Sequence, residues 1–328
     1  FVDLTDQTST QIEQHISQAI SNEKADGFDS EQAPLMRVTV FQESDNEYRV
    51  LWTHHHTLWD GWCNSILFRE VTQYYLAYIE KTVPALAAAP KYKDYIAWLS
   101  TQDRDKSLAY WRDKVYDSDV SDFLLPSLGI TGGHTTSLEH TFSLALSNRL
   151  FEFGRSNQCT LNNVIQLAWA YLLSRYSGES RVCFGAVISG RPANMINVEN
   201  MIGLFINTVP MVVHVEEEFT LTEVIQDIQQ QQLGAEENGF IPLYEIIQQS
   251  TSSLLFDSIV IFENYPLDEA LPEQVTKSKM KLTNIESFEE TSAPITLNVY
   301  PGELLRCKLD VRTATDCQDK LQRIMTHF

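Results

Sequence analysis

The chain has 328 residues, of which 43% are hydrophobic and 21% charged, which is ordinary for a globular protein of one large domain or two medium ones. Acidic residues outnumber basic ones by 44 to 24, giving a formal charge of −20, so a nucleic-acid partner is not expected because its phosphates would be repelled. No apolar run reaches the roughly 20 residues that cross a bilayer, so no membrane association is expected. The five cysteines are scattered and odd in number, which favours reduced thiols in a cytoplasmic protein.

The first part of the chain predicts a helix followed by a β-hairpin. Residues 10–24 carry isoleucines at helical spacing. Residues 35–41 and 48–53 are strand-like, and the polar residues between them predict a turn. The second strand runs into the stretch from Thr53 to Trp62, which contains three consecutive histidines and leads into a helical pattern. Catalytic groups often lie on such strand-to-helix loops, because rigid elements position them while the backbone stays accessible.

Three consecutive histidines also raise the question of a metal site, because neutral imidazole is the commonest metal ligand. Neighbouring strand residues point to opposite faces of a sheet, so His55 and His56 cannot both bind one ion without a sharp bend. The chain has no second cluster with zinc-site spacing. The sequence therefore predicts no metal, and hydrogen-bonded surface histidines or a catalytic pair remain as interpretations.

The middle of the chain predicts a linker followed by helices with aromatic anchors. Residues 82–90 contain two prolines and small residues between two periodic regions, which indicates a boundary between domains. Residues 92–98 and 110–112 place tyrosines and tryptophans on helices. Core packing is the default explanation for these aromatic side chains.

The rest of the chain predicts alternating helices and strands. Residues 113–136 are loop-rich, and Thr160 caps a helix that ends near Gly178. Residues 182–188 predict a buried strand, and residues 201–208 predict a strand with a bulge. Further predicted elements are a helix from the capping box Thr220–Glu223, a helix at 242–247, a buried strand at 256–263, an alternating segment at 304–311 and a final helix at 313–328.

The string His55-His56-x-x-x-Asp60-Gly61 resembles the HHxxxDG signature of the condensation domains of nonribosomal peptide synthetases. Downstream, residues 92–98 resemble the YxDxxxW element of that family. Ser189–Pro192 and Gly203–Thr208 are similar to its paired SGRP and GxFxNT motifs. Independent motifs in the right order support a short motif that would be weak by itself.

The resemblance implies a mixed α/β (α+β) fold, with two chloramphenicol-acetyltransferase-like lobes that form a V around a tunnel. The N-terminal lobe would be residues 1–88 and the C-terminal lobe residues 89–328, a division that the proline-containing linker supports. The first lobe is expected to be incomplete, because the family begins well before the equivalent of Phe1 and has an early helix motif and an RHExLRT element that are absent here. Such an N-terminal truncation is expected to leave an unpaired sheet edge, exposed apolar surface and poor solubility.

The family's activity is that of an acyltransferase in secondary-metabolite biosynthesis, which forms a peptide bond between a donor acyl or peptidyl thioester and an aminoacyl acceptor. Both substrates would arrive on the phosphopantetheine arms of carrier proteins, and the chain itself would bind no cofactor. The implied partners are the upstream and downstream peptidyl carrier proteins and an adjacent adenylation domain.

The downstream motifs look most like those of domains that join an L-configured donor to an L-configured acceptor. Cyclization domains are not indicated, because they replace both histidines of the motif with aspartates. Two other functions remain open: a free-standing acyltransferase that uses an acyl-coenzyme A donor, and a catalytically inactive carrier-docking module.

Amide formation requires that the attacking amine lose a proton and that the tetrahedral oxyanion be stabilised. His56, with His55 beside it, is the predicted catalytic residue, either as general base or as a positioner of the amine. Asp60 is expected to hold the loop in place through an arginine, since small displacements are costly for positioned chemistry. Arg191 is a candidate for that arginine. Gly61 is expected to let a backbone N–H approach the oxyanion.

Three further residues complete the predicted site. Trp62 and Asn207 are expected to line the tunnel or support it, and a purely structural hydrogen bond is an equal alternative for Asn207. Cys63 stands where the family usually has serine. A buried cysteine is nearly isosteric with serine but a weaker hydrogen-bond partner, so a mild effect is expected.

Overall fold

The computed structural model describes residues 1–116, 133–216, 218–252, 254–264, 281, 283–289, 291, 293–313 and 317–328. Most of the predicted loop at 113–136 and the beginning of the predicted final helix at 313–328 lie outside the described residues.

The described residues form two compact units. The first comprises residues 1–63 together with 202–204, and the second comprises residues 64–201 and 205–328. The predicted linker at 82–90 contains neither helix nor strand. The division of the chain into lobes at residue 88 stays a prediction.

The first unit is a small sheet with one helix packed on it. Its elements are β1 (Val2–Asp3), α1 (Ser9–Asp26), β2 (Met36–Gln42) and β3 (Tyr48–His54). β1 runs parallel to β2, and β2 and β3 form an antiparallel hairpin in which Met36 faces His54. The predicted helix and hairpin are therefore confirmed.

Apolar burial and two ion pairs hold α1 on one face of this hairpin. Isoleucines of α1 pack against Phe41 of β2, which is 1% exposed. Arg37 and Arg49 on the same face bind Glu23 and Glu13 of α1 at 2.6 and 2.7 Å. Strand residues alternate between faces, and Val50, whose neighbours Arg49 and Leu51 face α1, is 57% exposed. The hairpin thus has an apolar face that α1 does not cover.

The helix α2 (Gly61–Glu80) begins at the end of the first unit and continues into the second. The remaining helices of the second unit are α3 (Tyr92–Leu99), α4 (Arg104–Val115), α5 (Leu144–Ser156), α6 (Leu161–Ser177), a 3₁₀ turn (Val198–Asn200), α7 (Leu221–Asn238), α8 (Leu243–Ile247) and α9 (Gln318–His327). The strands are β4 (His134–Thr141), β5 (Arg181–Ile188), β6 (Asn207–His214), β7 (Ser258–Phe262), β8 (Ile295–Tyr300) and β9 (Arg306–Thr313).

These strands form one six-stranded sheet in the order β4-β9-β8-β7-β5-β6. The pairs β5–β7 and β7–β8 are parallel, and the other pairs are antiparallel. The mixed α/β class predicted from the sequence is confirmed.

Helices cover parts of both faces of this sheet. On one face, α6, α7 and α9 build a core around Trp169, which is fully buried and donates its indole N–H to Ser258 at 3.2 Å. On the other face, α4 and α8 pack around Trp111, which donates to the carbonyl of Asn238 at 2.9 Å. Core packing therefore accounts for Trp111 of the predicted aromatic anchors.

Helix ends behave as their sequences predict. Thr160 accepts from the backbone of Asn163 at the start of α6, and the helix ends at Gly178 with a left-handed φ of 82°. Thr220 and Glu223 form the predicted capping box of α7. Both helices begin, and α6 also ends, where local chemistry places them.

The strand predicted at 201–208 is wrong over most of its length. Residues 201–206 have no strand pairing, and β6 begins only at Asn207. The reason is that a side chain, and not a neighbouring strand, contacts the backbone of this segment. Arg191 donates through Nη1 to the carbonyls of Val198 and Met201 at 2.5 and 2.9 Å, and its guanidinium lies 4.0 Å from the centre of the Phe205 ring.

A group of charged residues lies on the sheet face that α6, α7 and α9 do not cover. Burial, and then the nearby charge of Glu289, raise the pKa of Glu263 to about 7. Tyr300 donates to Glu263, and its own pKa is raised, chiefly by burial. Asp310 forms an ion pair with Lys308 at 3.1 Å. Glu263 is therefore the carboxyl of this group that the fold favours in its protonated form.

We expect Gly190→Ala to destabilise the second unit far more than Gly178→Ala. Both glycines have positive φ, 60° and 82°, but a Cβ on Gly190 would lie 1.8 Å from the Phe205 carbonyl oxygen, whereas Gly178 has open space. The control, Gly178→Ala, should lose about 1 kcal/mol of unfolding free energy because of its backbone conformation. Gly190→Ala should lose more than about 3 kcal/mol. Urea unfolding of both variants measures the difference, and equal losses would contradict the steric argument.

We also expect Glu263→Gln to remove a component of the pH dependence of stability. The folded state holds the proton of Glu263 up to about pH 7, whereas an unfolded carboxyl releases it near pH 4. The wild type should therefore lose stability as pH rises through this window, by at most about 3 kcal/mol. Thermal melts at pH 4 and pH 8 test this. The melting temperature of Glu263→Gln should rise relative to that of the wild type only at pH 8. An equal difference at both pH values would disprove the assignment.

Candidate active site

The motif loop lies where the sequence places it, between the end of β3 at His54 and the start of α2 at Gly61. His55 extends the hairpin by one bond, because its N–H donates to the carbonyl of Leu35 at 2.9 Å. The carbonyl of His55 accepts from the N–H of Leu58 at 3.1 Å, which closes a turn. The loop is thus fixed at its first residue by strand pairing.

His55 uses one ring nitrogen as an acceptor. Its Nδ1 lies 2.8 Å from the hydroxyl of Thr57 and 3.2 Å from the backbone N–H of the same residue. A backbone N–H can only donate, so Nδ1 is the acceptor in this contact. Phe28 packs edge-on against the ring, with the centroids 6.3 Å apart. The loop itself therefore fixes the orientation of the His55 ring.

His54 stacks on one of two tryptophans that contact each other. It stacks on Trp59, with ring centroids 4.2 Å apart and planes at 18°, and Trp59 in turn contacts Trp52 edge-on at 5.9 Å. Burial, and then the charges that His56 and His55 would carry, lower the pKa of His54. His54 is thus a structural, neutral member of the histidine run.

His56 differs from both neighbours. Its side chain is exposed, and among the residues that the structure describes it has no hydrogen bond. Both ring nitrogens are therefore open to an incoming group. Of the three histidines, His56 is the one whose imidazole could bind a substrate amine.

The aspartate of the motif is buried at the start of α2. Asp60 is 1% exposed, and Cys63, which is fully buried, donates its thiol to Oδ1 of Asp60 at 3.4 Å. The same sulfur lies 3.3 Å from the carbonyl oxygen and 3.5 Å from the N–H of Gly203. The first unit thus brings the glycine of the GxFxNT motif to the aspartate of the HHxxxDG motif.

Gly61 and Trp62 are the first two residues of α2. The N–H groups of a first helical turn have no partner within the helix, which suits the oxyanion-binding role expected of Gly61. Trp62 is partly buried.

Arg191 and Asn207 lie in the second unit. The contacts of Arg191 with Val198, Met201 and Phe205 fix the backbone that precedes β6, and its pairing with Asp60 stays a prediction. Asn207 donates through Nδ2 to the carbonyls of Gly239 and Ile241 at 2.8 and 2.6 Å. The structural hydrogen bond expected as one alternative for Asn207 is therefore present.

Sequence reasoning missed two features of this loop. It named neither His54 nor Trp59 as part of the site, although their stacking orders the loop that carries His56. It noted Cys63 only as a replacement for serine and not as a bridge to Gly203. Three adjacent histidines followed by a tryptophan were a signal for the first feature, but no local pattern indicates a contact across 140 residues.

In the described part of the chain, no group of three or more His, Cys, Asp or Glu side chains is arranged to hold a metal ion. Nor does any described helix have the length and apolar character required to span a bilayer.

Comparison with known proteins decides the family. Residues 1–328 match the condensation-domain family over their whole length. The chain belongs to this family. It is 33% identical to gramicidin S synthase 2 of Aneurinibacillus migulanus over 337 residues, which covers 100% of this chain and 8% of that protein. It is 32% identical to surfactin synthase subunit 3 of Bacillus subtilis (strain 168) over 310 residues, which covers 94% of this chain and 24% of that protein. This condensation domain therefore spans less than a quarter of the length of either relative.

Solved condensation domains share its fold. The first condensation domain of the calcium-dependent antibiotic synthetase superimposes with a TM-score of 0.72 at 13% identity, over 99% of this chain and 76% of that one. A four-domain nonribosomal peptide synthetase bound to AMP and glycine gives a TM-score of 0.74 at 18% identity, over 100% of this chain and 26% of that one. The expected chloramphenicol-acetyltransferase-like architecture of condensation domains is thus confirmed at the level of the fold.

We expect the pKa of His54 to lie below the usual value of about 6.5 and to rise in Trp59→Ala. The tryptophan stacks on the ring and excludes water from it, and burial is the main cause of the lowered pKa. The sign follows from linkage: stability from the neutral ring is present above about pH 6.5 and is lost as pH falls. NMR titration of the His54 ring in both proteins measures the shift. An unchanged pKa in the variant would show that Trp59 does not cause it.

Proposed function

We propose that this condensation domain forms an amide bond between a carrier-bound acyl or peptidyl thioester and the amine of a carrier-bound aminoacyl group. The observation that carries the proposal is the arrangement of the motif loop. His56 is exposed with both ring nitrogens open, while the residues on either side of it are fixed by strand pairing, aromatic stacking and the buried contact of Asp60. This is the arrangement expected of a positioned imidazole that meets a substrate.

The chemistry follows from what the loop offers. The acceptor amine attacks the thioester carbonyl carbon, and a C–N bond forms as the carbonyl becomes an oxyanion. His56 accepts the amine proton or orients the amine by a hydrogen bond, which is worth about 10²–10⁴ in rate for a positioned acid–base group. A backbone N–H at the start of α2, that of Gly61, stabilises the oxyanion. Collapse of the intermediate breaks the C–S bond, and the leaving thiolate takes up the proton.

The proposal includes the partners that this reaction needs. Donor and acceptor would be presented on phosphopantetheine arms by an upstream and a downstream carrier protein, with an adenylation domain next in the assembly and the cytoplasm as the location. Support comes from the synthases to which the chain is similar. Joining of an L-configured donor to an L-configured acceptor remains the expected stereochemistry, on the basis of the downstream motifs alone.

A second candidate is acyl transfer from an acyl-coenzyme A donor. The starter condensation domain of rhizomide synthetase RzmA, which shares the fold with a TM-score of 0.73 at 18% identity over 99% of this chain and 74% of that one, was crystallised as a variant with C8-CoA. A coenzyme A thioester and a carrier thioester share the phosphopantetheine arm, so the same chemistry serves both. The two candidates differ in whether a carrier surface is needed.

The proposal is tested by a single-turnover assay with loaded carriers. Donor and acceptor carriers bearing aminoacyl thioesters are mixed with the wild type, with His56→Ala and with His134→Ala, and the dipeptidyl carrier is quantified. His134 is an exposed histidine of the second unit and serves as the matched control. We expect at least about a hundredfold loss in His56→Ala and no loss in His134→Ala.

The other outcomes separate the alternatives. Product from acyl-coenzyme A but not from carriers would replace the proposal by the free-standing acyltransferase. Absence of product with either donor in the wild type would leave a carrier-docking module without catalytic activity. Full activity of His56→Ala would refute the role given to that imidazole.

A further inference from the structure

We propose that Cys63 is a positioning residue for this reaction: its thiol ties the motif loop to residues 202–204 and thereby sets where His56 stands. The proposal rests on the proposed function for its catalytic consequence. The tie itself is a property of the fold and can be tested without any reaction.

The geometry around the sulfur uses both of its hydrogen-bonding capacities. The S–H has two acceptors within reach, Oδ1 of Asp60 at 3.4 Å and the carbonyl oxygen of Gly203 at 3.3 Å. The sulfur also accepts from the N–H of Gly203 at 3.5 Å. Because Cys63 is fully buried, water cannot replace any of these contacts. The thiol therefore joins two chain segments that are 140 residues apart.

The tie acts on the far end of the motif loop. The loop is fixed at His55 by its bond to Leu35, and it ends at Asp60, whose carbonyl accepts from the N–H of Cys63 at 3.0 Å as α2 begins. Cys63 thus holds Asp60 through both the backbone and the carboxylate. His56 lies between the two fixed points, so a shift of Asp60 moves the imidazole, and misplacement by about 1 Å can reduce a rate by a factor of about 100.

Polar contact, rather than volume alone, distinguishes Cys63 from Cys307. Cys307 is 1% exposed in the core of the second unit, and burial raises the pKa of its thiol to about 12. In that core it packs among apolar side chains. Replacement of Cys307 by alanine therefore reports the loss of a buried sulfur without loss of the tie, and it is the matched control.

Substitution of Cys63 by serine or by alanine separates the contribution of its hydrogen bonds from that of its volume. Alanine removes the donor and the acceptor and leaves the buried groups of Gly203 without this partner, whereas serine keeps both functions. Sulfur contacts of 3.3–3.5 Å are longer than the 2.5–3.0 Å of O–H···O bonds, so serine restores the tie only if the loop and residues 202–204 approach each other slightly. We expect Cys63→Ser to recover most of what Cys63→Ala loses.

Hydrogen exchange tests the tie directly. In Cys63→Ala we expect the amides of residues 58–63 and of 202–204 to exchange about tenfold faster, the loss of one buried hydrogen bond. Cys63→Ser should stay within about threefold of the wild type, and Cys307→Ala should not change exchange at these amides. Unchanged exchange in Cys63→Ala, or equal acceleration in Cys307→Ala, would overturn the tie. If Cys63→Ala does not fold, Cys63→Ser is compared with the wild type. Accelerated exchange of the amides of residues 202–204 in the serine variant would then contradict the tie.

Condensation kinetics test its consequence. We expect Cys63→Ala to lower kcat about tenfold while KM for the loaded carriers changes less than about twofold, since only the imidazole moves. Cys63→Ser should restore kcat. Loss of kcat in the serine variant equal to that in the alanine variant, with its exchange normal, would overturn the positioning role. If the wild type forms no product, the proposed function fails, while the exchange experiment still decides the tie.

Discussion

The motif loop depends on a buried polar contact at the first turn of α2. Asp60 and Cys63 are both withdrawn from water, and each is satisfied in part by the other. A buried carboxylate without partners would be strongly unfavourable, so the loop must keep the conformation in which these contacts exist. Gly203 belongs to the same contact, and through it a short segment from late in the chain becomes part of the first unit. The conformation of the loop is therefore decided by tertiary contacts as much as by its own sequence.

Within the loop, three adjacent histidines have three different roles because their surroundings differ. His54 is stacked on Trp59, and its pKa is lowered, first by burial and then by the histidines beside it. His55 accepts at Nδ1 from the N–H of Thr57, which fixes the orientation of its ring. His56 is exposed and has no hydrogen bond among the described residues, so a run that looks uniform in sequence presents one open imidazole.

Much of the fold could be predicted from the sequence, because its signals are local. The α1 periodicity, the β2–β3 hairpin and the caps of α6 and α7 depend on residues within a few positions of one another, and the structure confirms them. The strand expected at 201–208 failed for the opposite reason. An apolar run predicts a strand only where a neighbouring strand is available, and here Arg191 and Cys63 engage the backbone of that run instead. No residue within the run indicates that its partners lie outside a sheet.

The same distinction applies to the site. His55, His56, Asp60 and Gly61 could be named as candidates because the motif is contiguous and its resemblance to condensation domains is specific. The role of Cys63 could not be found, because it depends on a contact with Gly203 that sequence spacing does not encode. A serine at this position would make shorter bonds to the same groups, so the cysteine fixes a slightly wider separation between the motif loop and residues 202–204.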